Sequence, residues 1–259
     1  MAEAISKIIF LTTVISSSVG SWGLGRPADG GPIETGFRRR TQDVFVARLA
    51  RNHRRADPLE KAIIIAIGGD LSSQRILAAY QQGIFPWFNE GEPILWWSPH
   101  PRMVLFPENL KISKSLAKRL RKQDYEVKFN QHFRQVMEAC ASVSRDQQHG
   151  TWISPEMIDA YCELHAQGHA CCAETWIEGK LVGGLYGVLI NRMFYGESMF
   201  HYVTDASKMA FVHMVNYLKQ QNVGMIDCQM NTAHLASLGA KEIDRDLFIS
   251  SLQALTQSA

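Results

Sequence analysis

The pattern of apolar and polar positions predicts ordered strands and helices from about residue 61 onward. The apolar run Ala62–Ile67 predicts a buried strand that ends at Gly68-Gly69. Three later apolar stretches are joined by short turns at residues 178–179 and 191–192, which is typical of an antiparallel meander. The predicted strands of this meander are Ala170–Ile177, Leu181–Leu189 and Met193–Met199.

Apolar residues at helical spacing, each run preceded by a capping residue, predict the helices between these strands. Ser72 is expected to cap a helix that reaches Gln82, and Asn130 is expected to cap a later one. Ser154 followed by Pro155 is typical of a helix start. The other predicted helices cover Lys111–Lys122, the stretch that Asp205 opens, His234–Leu238 and Arg245–Leu255.

The stretch 193–239 combines strands with polar side chains that could carry chemistry. Glu197 lies in an apolar strand, and Asp227 and Gln229 lie two residues apart on the next predicted strand. Side chains two apart on a strand point to the same face, so a carboxylate and an amide are expected to face one cavity. A strand, helix, strand unit places the ends of both strands side by side.

Glu197 lies on a strand that is predicted to be largely buried. A buried carboxylate is costly unless it is paired, and a cationic group of a bound molecule would supply a partner. The alternative is a structural salt bridge within the fold. The sequence leaves both open.

Composition limits the class of protein and its compartment. The chain can bury a sizeable core, and its net charge of +2 permits an anionic partner without requiring one. Five cysteines show neither a CxxC pair nor a zinc-ligand spacing, so we expect buried free thiols and a reducing cytosol. The apolar run 8–15 is too short to span a membrane, and no metal motif is present.

Three segments are predicted. Residues 1–60 are rich in Gly, Pro and Arg without a clear period, which indicates a poorly ordered extension. Residues 61–100 are expected to form a small N-terminal domain, whose completeness the sequence leaves open, and residues 101–259 a larger domain that holds the candidate catalytic side chains.

Several runs resemble those of the leucyl/phenylalanyl-tRNA–protein transferase family, in matching order from about residue 67 to 252. They are GIFPWF (83–88), LWWSPHPR (95–102), TWIS (151–154), GGLYG (183–187), GESMF (196–200), DASK (205–208), IDCQ (226–229) and ASLGA (236–240). The resemblance implies an α+β fold, with a small N-terminal α/β domain followed by an N-acetyltransferase-superfamily-like mixed sheet flanked by helices. The coenzyme A signature of that superfamily is missing, so no cofactor is expected.

The resemblance also implies a reaction and its partners. Leu, Phe or Met would move from charged tRNA onto the N-terminal Arg or Lys of proteins, marking them for degradation in the cytoplasm. No membrane partner is expected. Asp227 and Gln229 would handle the proton of the attacking amine, with Glu197 in the same catalytic set. The pair could act as a base or only position the amine while the ribose hydroxyl takes the proton.

The remaining implied residues bind the aminoacyl-tRNA. Trp87 would stack on an adenine of the tRNA end. The side chains expected to wall a pocket for Leu or Phe are Leu185, Phe194, Met199 and Ile226; Trp152 and Tyr80 complete the implied set. The alternative is that these side chains only pack in the hydrophobic core and bind no ligand.

Residues 111–122 hold six cations and no acid. A solvated helix face is the usual explanation of such a run, but the lack of any acid favours a face that binds tRNA phosphates. Lys114, Lys118 and Lys122 are the expected contacts.

Two other functions are compatible with the sequence. One is a small-molecule or peptidoglycan N-acyltransferase on the same fold, which the missing coenzyme A signature disfavours. The other is a non-catalytic RNA-binding protein, which would not need Asp227 and Gln229.

Overall fold

The structure is a computed structural model, and it describes residues 45–46, 64–122, 124–143 and 152–257. The described residues all lie within one compact unit. Most of the predicted extension 1–60, the first two residues of the predicted strand Ala62–Ile67, and Thr151 of the TWIS run lie outside the described residues.

The described residues form two sheets. Four short antiparallel strands form the first, in the order β1-β2-β4-β3, and seven strands form the second, in the order β11-β5-β10-β9-β8-β7-β6. The strands are β1 Phe45–Val46, β2 Ile64–Ile67, β3 Phe85–Pro86, β4 Leu95–Trp97, β5 Arg102–Leu105, β6 Glu126–Phe129, β7 Ala170–Ile177, β8 Lys180–Ile190, β9 Met193–His201, β10 Met225–Gln229 and β11 Lys241–Ile243. Strand β1 falls within the range for which the sequence predicts a poorly ordered extension.

Seven α-helices connect or cover these strands within the described part of the chain. They are α1 Ser73–Tyr80, α2 Lys114–Leu120, α3 Phe133–Ser142, α4 Pro155–Ala166, α5 Ala206–Gln220, α6 Ala233–Ser237 and α7 Arg245–Thr256. The prediction of an α+β fold with a mixed sheet flanked by helices is confirmed.

The parallel pair β9 and β10 positions the site. Asp227 pairs with Tyr195 across this ladder, while the other neighbours in the large sheet run antiparallel. Parallel neighbours need a crossover, and α5 supplies it. Its Met209, Met214 and Leu218 are fully buried against the sheet, so α5 closes one side of the core. The side-by-side strand ends that the sequence predicts are therefore confirmed.

The caps at the starts of α1, α2 and α3 differ from those that the sequence predicts. Ser72 does precede α1, but its side chain makes no capping hydrogen bond to the helix backbone. Helix α2 begins at Lys114, and Ser113 caps it by accepting a hydrogen bond from the N–H of Leu116. The predicted start at Lys111 is wrong because this serine stops the helix from extending further toward the N-terminus.

Asn130 does not cap α3, contrary to the prediction. Its φ is 59°, and its side-chain oxygen accepts the backbone N–H of Cys172. The buried carboxylate of Glu174 instead accepts the backbone N–H groups of Gln131 and His132. A carboxylate from a neighbouring strand thus binds the N–H groups that precede this helix.

The five cysteines all lie in the described residues, and none of them forms a disulfide. Cys140, Cys171 and Cys172 are buried as predicted, whereas Cys162 and Cys228 are partly exposed. Within the described residues no helix has the length and apolarity needed to cross a membrane.

Candidate active site

Glu197 stands at the centre of a cluster built by four elements. Tyr80 from the last turn of α1 and Tyr161 from α4 donate phenol hydrogen bonds to its two carboxylate oxygens, at 2.6 and 3.3 Å. The side-chain amide of Gln229, at the end of β10, donates to Glu197 Oε1 at 3.1 Å. The three donors are all neutral, so each hydrogen bond leaves the carboxylate charge uncompensated.

Burial sets the protonation of this cluster. It raises the pKa of Glu197 from 4.5 to about 7, although the phenol hydrogen bond from Tyr80 acts in the opposite direction. The pKa values of Tyr80 and Tyr161 are well above their usual range, first through burial and then through the nearby charge of Glu197. Both phenols therefore stay protonated as donors, while Glu197 changes charge near neutral pH.

Asp227 is engaged in a buried ion pair. Arg102 Nε donates to its Oδ1 at 2.8 Å and Arg102 Nη2 donates to Oδ2 at 2.6 Å. Both side chains are at most 1% exposed. The aromatic rings of Phe85 and Phe248 lie 5.0 and 4.7 Å from the guanidinium carbon. The bidentate geometry matches the planar guanidinium to the carboxylate, so the two charges compensate each other.

Gln229 has an unusual backbone. Its φ is 60°, and the pairing of β10 with β5 shifts register between Asp227 and Gln229. The backbone N–H of Gln229 donates to Asp227 Oδ1 at 2.8 Å. Non-glycine residues adopt this left-handed conformation only where the surroundings stabilise it.

The expectation that the side chains of Asp227 and Gln229 face one cavity is wrong for Asp227. Its carboxylate is fully buried against Arg102, and only Gln229 reaches Glu197 with its side chain. Simple alternation fails because the bulge inserts a residue into β10. The two residues are still joined, through the N–H of Gln229.

The residues expected to form the Leu or Phe pocket belong to the large-sheet core. Leu185, Phe194 and Ile226 are at most 3% exposed, and partly buried Met199 packs against them. Leu185 pairs with Met199 across β8 and β9, and Ile226 pairs with Phe194 across β9 and β10. The structure thus groups these four side chains as core neighbours.

Two tryptophans implied in tRNA binding are partly exposed. The carbonyl of Trp87 accepts the indole N–H of Trp97 at 2.6 Å, and the two rings lie 5.5 Å apart. Trp152 precedes the Ser154 cap of α4. Tyr80, expected in the same set, lies in the Glu197 cluster.

The expected phosphate-binding cations are exposed. Lys114 and Lys118 lie on α2, and Lys122 follows its end. Arg119 of the same run is hydrogen-bonded to Asp124 and lies over the ring of Tyr125. The three lysines are therefore more available to a ligand than Arg119.

Sequence reasoning missed Arg102 and Tyr161 as parts of the site. The sequence places Tyr161 on the apolar face of a helix. The structure agrees, since the ring of Tyr161 is fully buried. Its hydroxyl nevertheless reaches Glu197. A signal for Arg102 was present, since a single cation precedes a run of apolar residues that forms a buried strand. A buried arginine requires a partner.

Within the described ranges, no group of three or more His, Cys, Asp or Glu side chains is arranged to hold a metal ion.

Comparison with known proteins gives consistent matches. Residues 104–253 match the family model described as leucyl/phenylalanyl-tRNA protein transferase, and residues 69–100 match the model for its N-terminal domain. A leucyl/phenylalanyl-tRNA–protein transferase from Chromobacterium violaceum is 64% identical over 190 residues, covering 73% of this chain and 81% of its own. One from Nitrosomonas eutropha is 58% identical over 204 residues, covering 77% and 87%.

Among solved structures, a GCN5-related N-acetyltransferase-like protein from Streptococcus suis aligns with 79% of this chain and 86% of its own. The identity is 11% and the TM-score 0.36. A likeness at this TM-score carries no weight for fold or function.

Proposed function

Because the chain belongs to the leucyl/phenylalanyl-tRNA–protein transferase family, we propose that it moves Leu, Phe or Met from charged tRNA onto proteins that begin with Arg or Lys. Aminoacyl transfer from tRNA to protein is the activity of the family. The observation that supports the acceptor type is the Glu197 carboxylate, which is bound by neutral donors and suits a cationic side chain. Such a modification would mark the acceptor protein for degradation.

The reaction joins the acceptor's α-amine to an activated ester. The amine nitrogen attacks the ester carbonyl, a C–N bond forms, and the bond between the carbonyl and the tRNA ribose oxygen breaks. We propose that Gln229 positions the amine through its side-chain oxygen, because its Nε2 is held by Glu197. A neutral amide is a poor base, so the departing ribose oxygen takes the proton that the amine loses. Holding the amine and the ester in the right geometry contributes to the acceleration, because it converts a bimolecular encounter into a step within one complex.

The aminoacyl side chain is assigned to the region beside Met199. Met199 is the partly exposed member of the four core neighbours, and an unbranched thioether adapts to different shapes. Trp87, with its backbone held by Trp97, is assigned to stack on the terminal adenine. Trp152 is assigned to the same tRNA end. The substrate is charged tRNA, which is made in the cytoplasm, and we propose that location for this protein.

The experiment that tests the function uses labelled Phe-tRNA and three peptides that differ only at the first residue. Peptides beginning with Arg and Lys should receive the label, and the peptide beginning with Ala should not. Equal labelling of the Ala peptide would contradict the acceptor assignment. No labelling of any peptide would contradict the transfer activity itself.

Glu197→Gln is expected to remove a pH dependence. Deprotonated Glu197 attracts a cationic acceptor, so kcat/KM for an Arg peptide should rise as pH increases through about 7. The variant should lack this rise and keep only the titration of the acceptor's own amine. Rates measured from pH 5.5 to 8.5 for both proteins test this. A wild-type profile that the variant reproduces would contradict the assignment.

The same carboxyl affects stability with a definite sign. Its pKa is higher in the folded protein than in the unfolded chain, so its contribution to stability is present at acid pH and lost as pH rises through about 7. Relative to Glu197→Gln, the wild-type melting temperature should therefore fall as the pH increases from 4.5 to about 7.

Changing Lys114, Lys118 and Lys122 to Glu should weaken tRNA binding and reduce its salt dependence, by a slope of roughly one per lost phosphate contact. The fold should survive because the three side chains are exposed. Binding of Phe-tRNA measured at several salt concentrations checks this. A matched control changes Lys180, Lys219 and Lys241, which are also exposed, to Glu; it should alter affinity much less. Equal loss in both variants would indicate a general charge effect.

A further inference from the structure

Arg102 is buried at a position where a cation is costly. Its side chain is 1% exposed, and its only oppositely charged contact in the described residues is Asp227, 125 positions later in the sequence. An ion pair without solvent stabilises a fold little compared with apolar packing of the same volume. The stability of the fold therefore does not by itself explain why the core contains this ion pair.

The surroundings of Arg102 restrict its orientation. Phe85, from the small sheet, and Phe248, from α7, both lie against the guanidinium. The fork of Nε and Nη2 binds both oxygens of Asp227. Two rings and two hydrogen bonds hold the planar group, so the carboxylate of Asp227 is held as well.

One oxygen of Asp227 makes a further hydrogen bond. Oδ1 accepts Nε of Arg102 and also the backbone N–H of Gln229, each at 2.8 Å. That N–H belongs to the residue with φ of 60° at the bulge of β10. From this conformation the Gln229 amide reaches Glu197 at 3.1 Å. Arg102, Asp227, Gln229 and Glu197 thus form one continuous chain of hydrogen bonds.

We propose that Arg102 is a positioning residue for the transfer reaction: through Asp227 it holds Gln229 in the left-handed conformation from which its amide meets Glu197. The charge of the Asp227 carboxylate then compensates the charge of Arg102. Asp227 affects turnover because its carboxylate holds the backbone of Gln229. Asp227 takes no proton from the amine. The inference rests on the proposed function of this site, and it names a residue that acts on that site from within the core.

The test compares wild type with Asp227→Asn, Arg102→Gln and the double variant. Each single change leaves one buried charge without its partner, which disturbs the bulge, so kcat at saturating Phe-tRNA should fall on the order of a hundredfold. In the double variant both charges are absent, and the introduced carbonyl oxygen can still accept the N–H of Gln229. Its kcat should return to within about tenfold of wild type.

Two results would overturn the proposal. A double variant as slow as Asp227→Asn would mean that the charge of Asp227 itself acts in the reaction. Single variants with wild-type kcat per folded molecule, after correction by thermal melts, would mean that the pair is only structural. If a single variant does not fold, the double variant is compared with wild type alone. A loss of kcat within about tenfold supports the proposal, and a loss of about a hundredfold contradicts it.

A measurement without turnover separates this inference from the proposed function. Hydrogen exchange at the backbone N–H of Gln229 should be slow in the wild type, faster in Arg102→Gln than elsewhere on β10, and slow again in the double variant. Unchanged exchange in Arg102→Gln would overturn the positioning role even if the protein transferred no amino acid. Loss of transfer in the wild type would overturn only the proposed function.

Discussion

Gln229→Ala is expected to lower turnover at saturating Phe-tRNA by on the order of a hundredfold, a contribution typical of one well-placed polar group. The substitution removes the amide that contacts Glu197 and that we assign to the attacking amine. Affinity for Phe-tRNA should change much less, because the proposed stacking and phosphate contacts lie at Trp87 and on α2. Single-turnover transfer to an Arg peptide, together with tRNA binding, separates the two effects.

The matched control is Gln74→Ala, on the exposed surface of α1, which should keep wild-type turnover. Combining Gln229→Ala with Asp227→Asn should cost little more than the slower single variant, because residues that act as one unit lose function non-additively. Near-normal turnover of Gln229→Ala, with Glu197→Gln inactive, would make Gln229 a structural residue and contradict its assigned role.

Gly187→Ala is expected to lower the free energy of unfolding by about 1–3 kcal/mol, the usual cost of an overpacked core. A methyl group at this position would lie 2.2 Å from the carbonyl oxygen of Tyr195 and 2.4 Å from the ring of Phe194. The carbonyl belongs to β9, two residues before Glu197, so the strand carrying the site would have to move. Chemical denaturation of the variant and wild type measures the difference.

Gly196 provides the control, because it pairs with Gly187 across β8 and β9. A methyl group there would lie 3.6 Å from the nearest atom, the carbonyl oxygen of Asp227, at an ordinary contact distance. Gly196→Ala should therefore lower the free energy of unfolding by less than about 1 kcal/mol. Equal destabilisation by the two substitutions would show that loss of glycine flexibility, and not the close approach of β9, determines the effect.

The meander is predictable from the sequence because its signals are local. Strand β7 has the predicted bounds, and β8 and β9 extend theirs by only one or two residues at an end. Turn residues with positive φ, Glu178, Gly179 and Asn191, fix where each strand ends. The Ser154 cap of α4 is equally local, and it too is confirmed by its hydrogen bond to Met157.

The site is predictable only in part because its contacts are not local. Glu197 and Gln229 can be identified, but alternation cannot foresee the bulge that turns Gln229 away from regular strand geometry. Tyr80 meets Glu197 across 117 positions of sequence, and Arg102 meets Asp227 across 125. Sequence periodicity marks such residues as core or as isolated charges, and only the fold shows which partner each one has.

We propose that aminoacyl transfer occurs beside Glu197 and that this carboxylate selects a cationic acceptor. This proposal is tested most directly with two peptides that differ only in the first residue, Arg or citrulline, since citrulline has nearly the same shape without the charge. For the wild type at pH 8, kcat/KM with Phe-tRNA should be at least about tenfold higher for the Arg peptide. For Glu197→Gln the two peptides should react at similar rates. A preference for Arg that survives unchanged in Glu197→Gln would place the acceptor's side chain elsewhere and contradict the account.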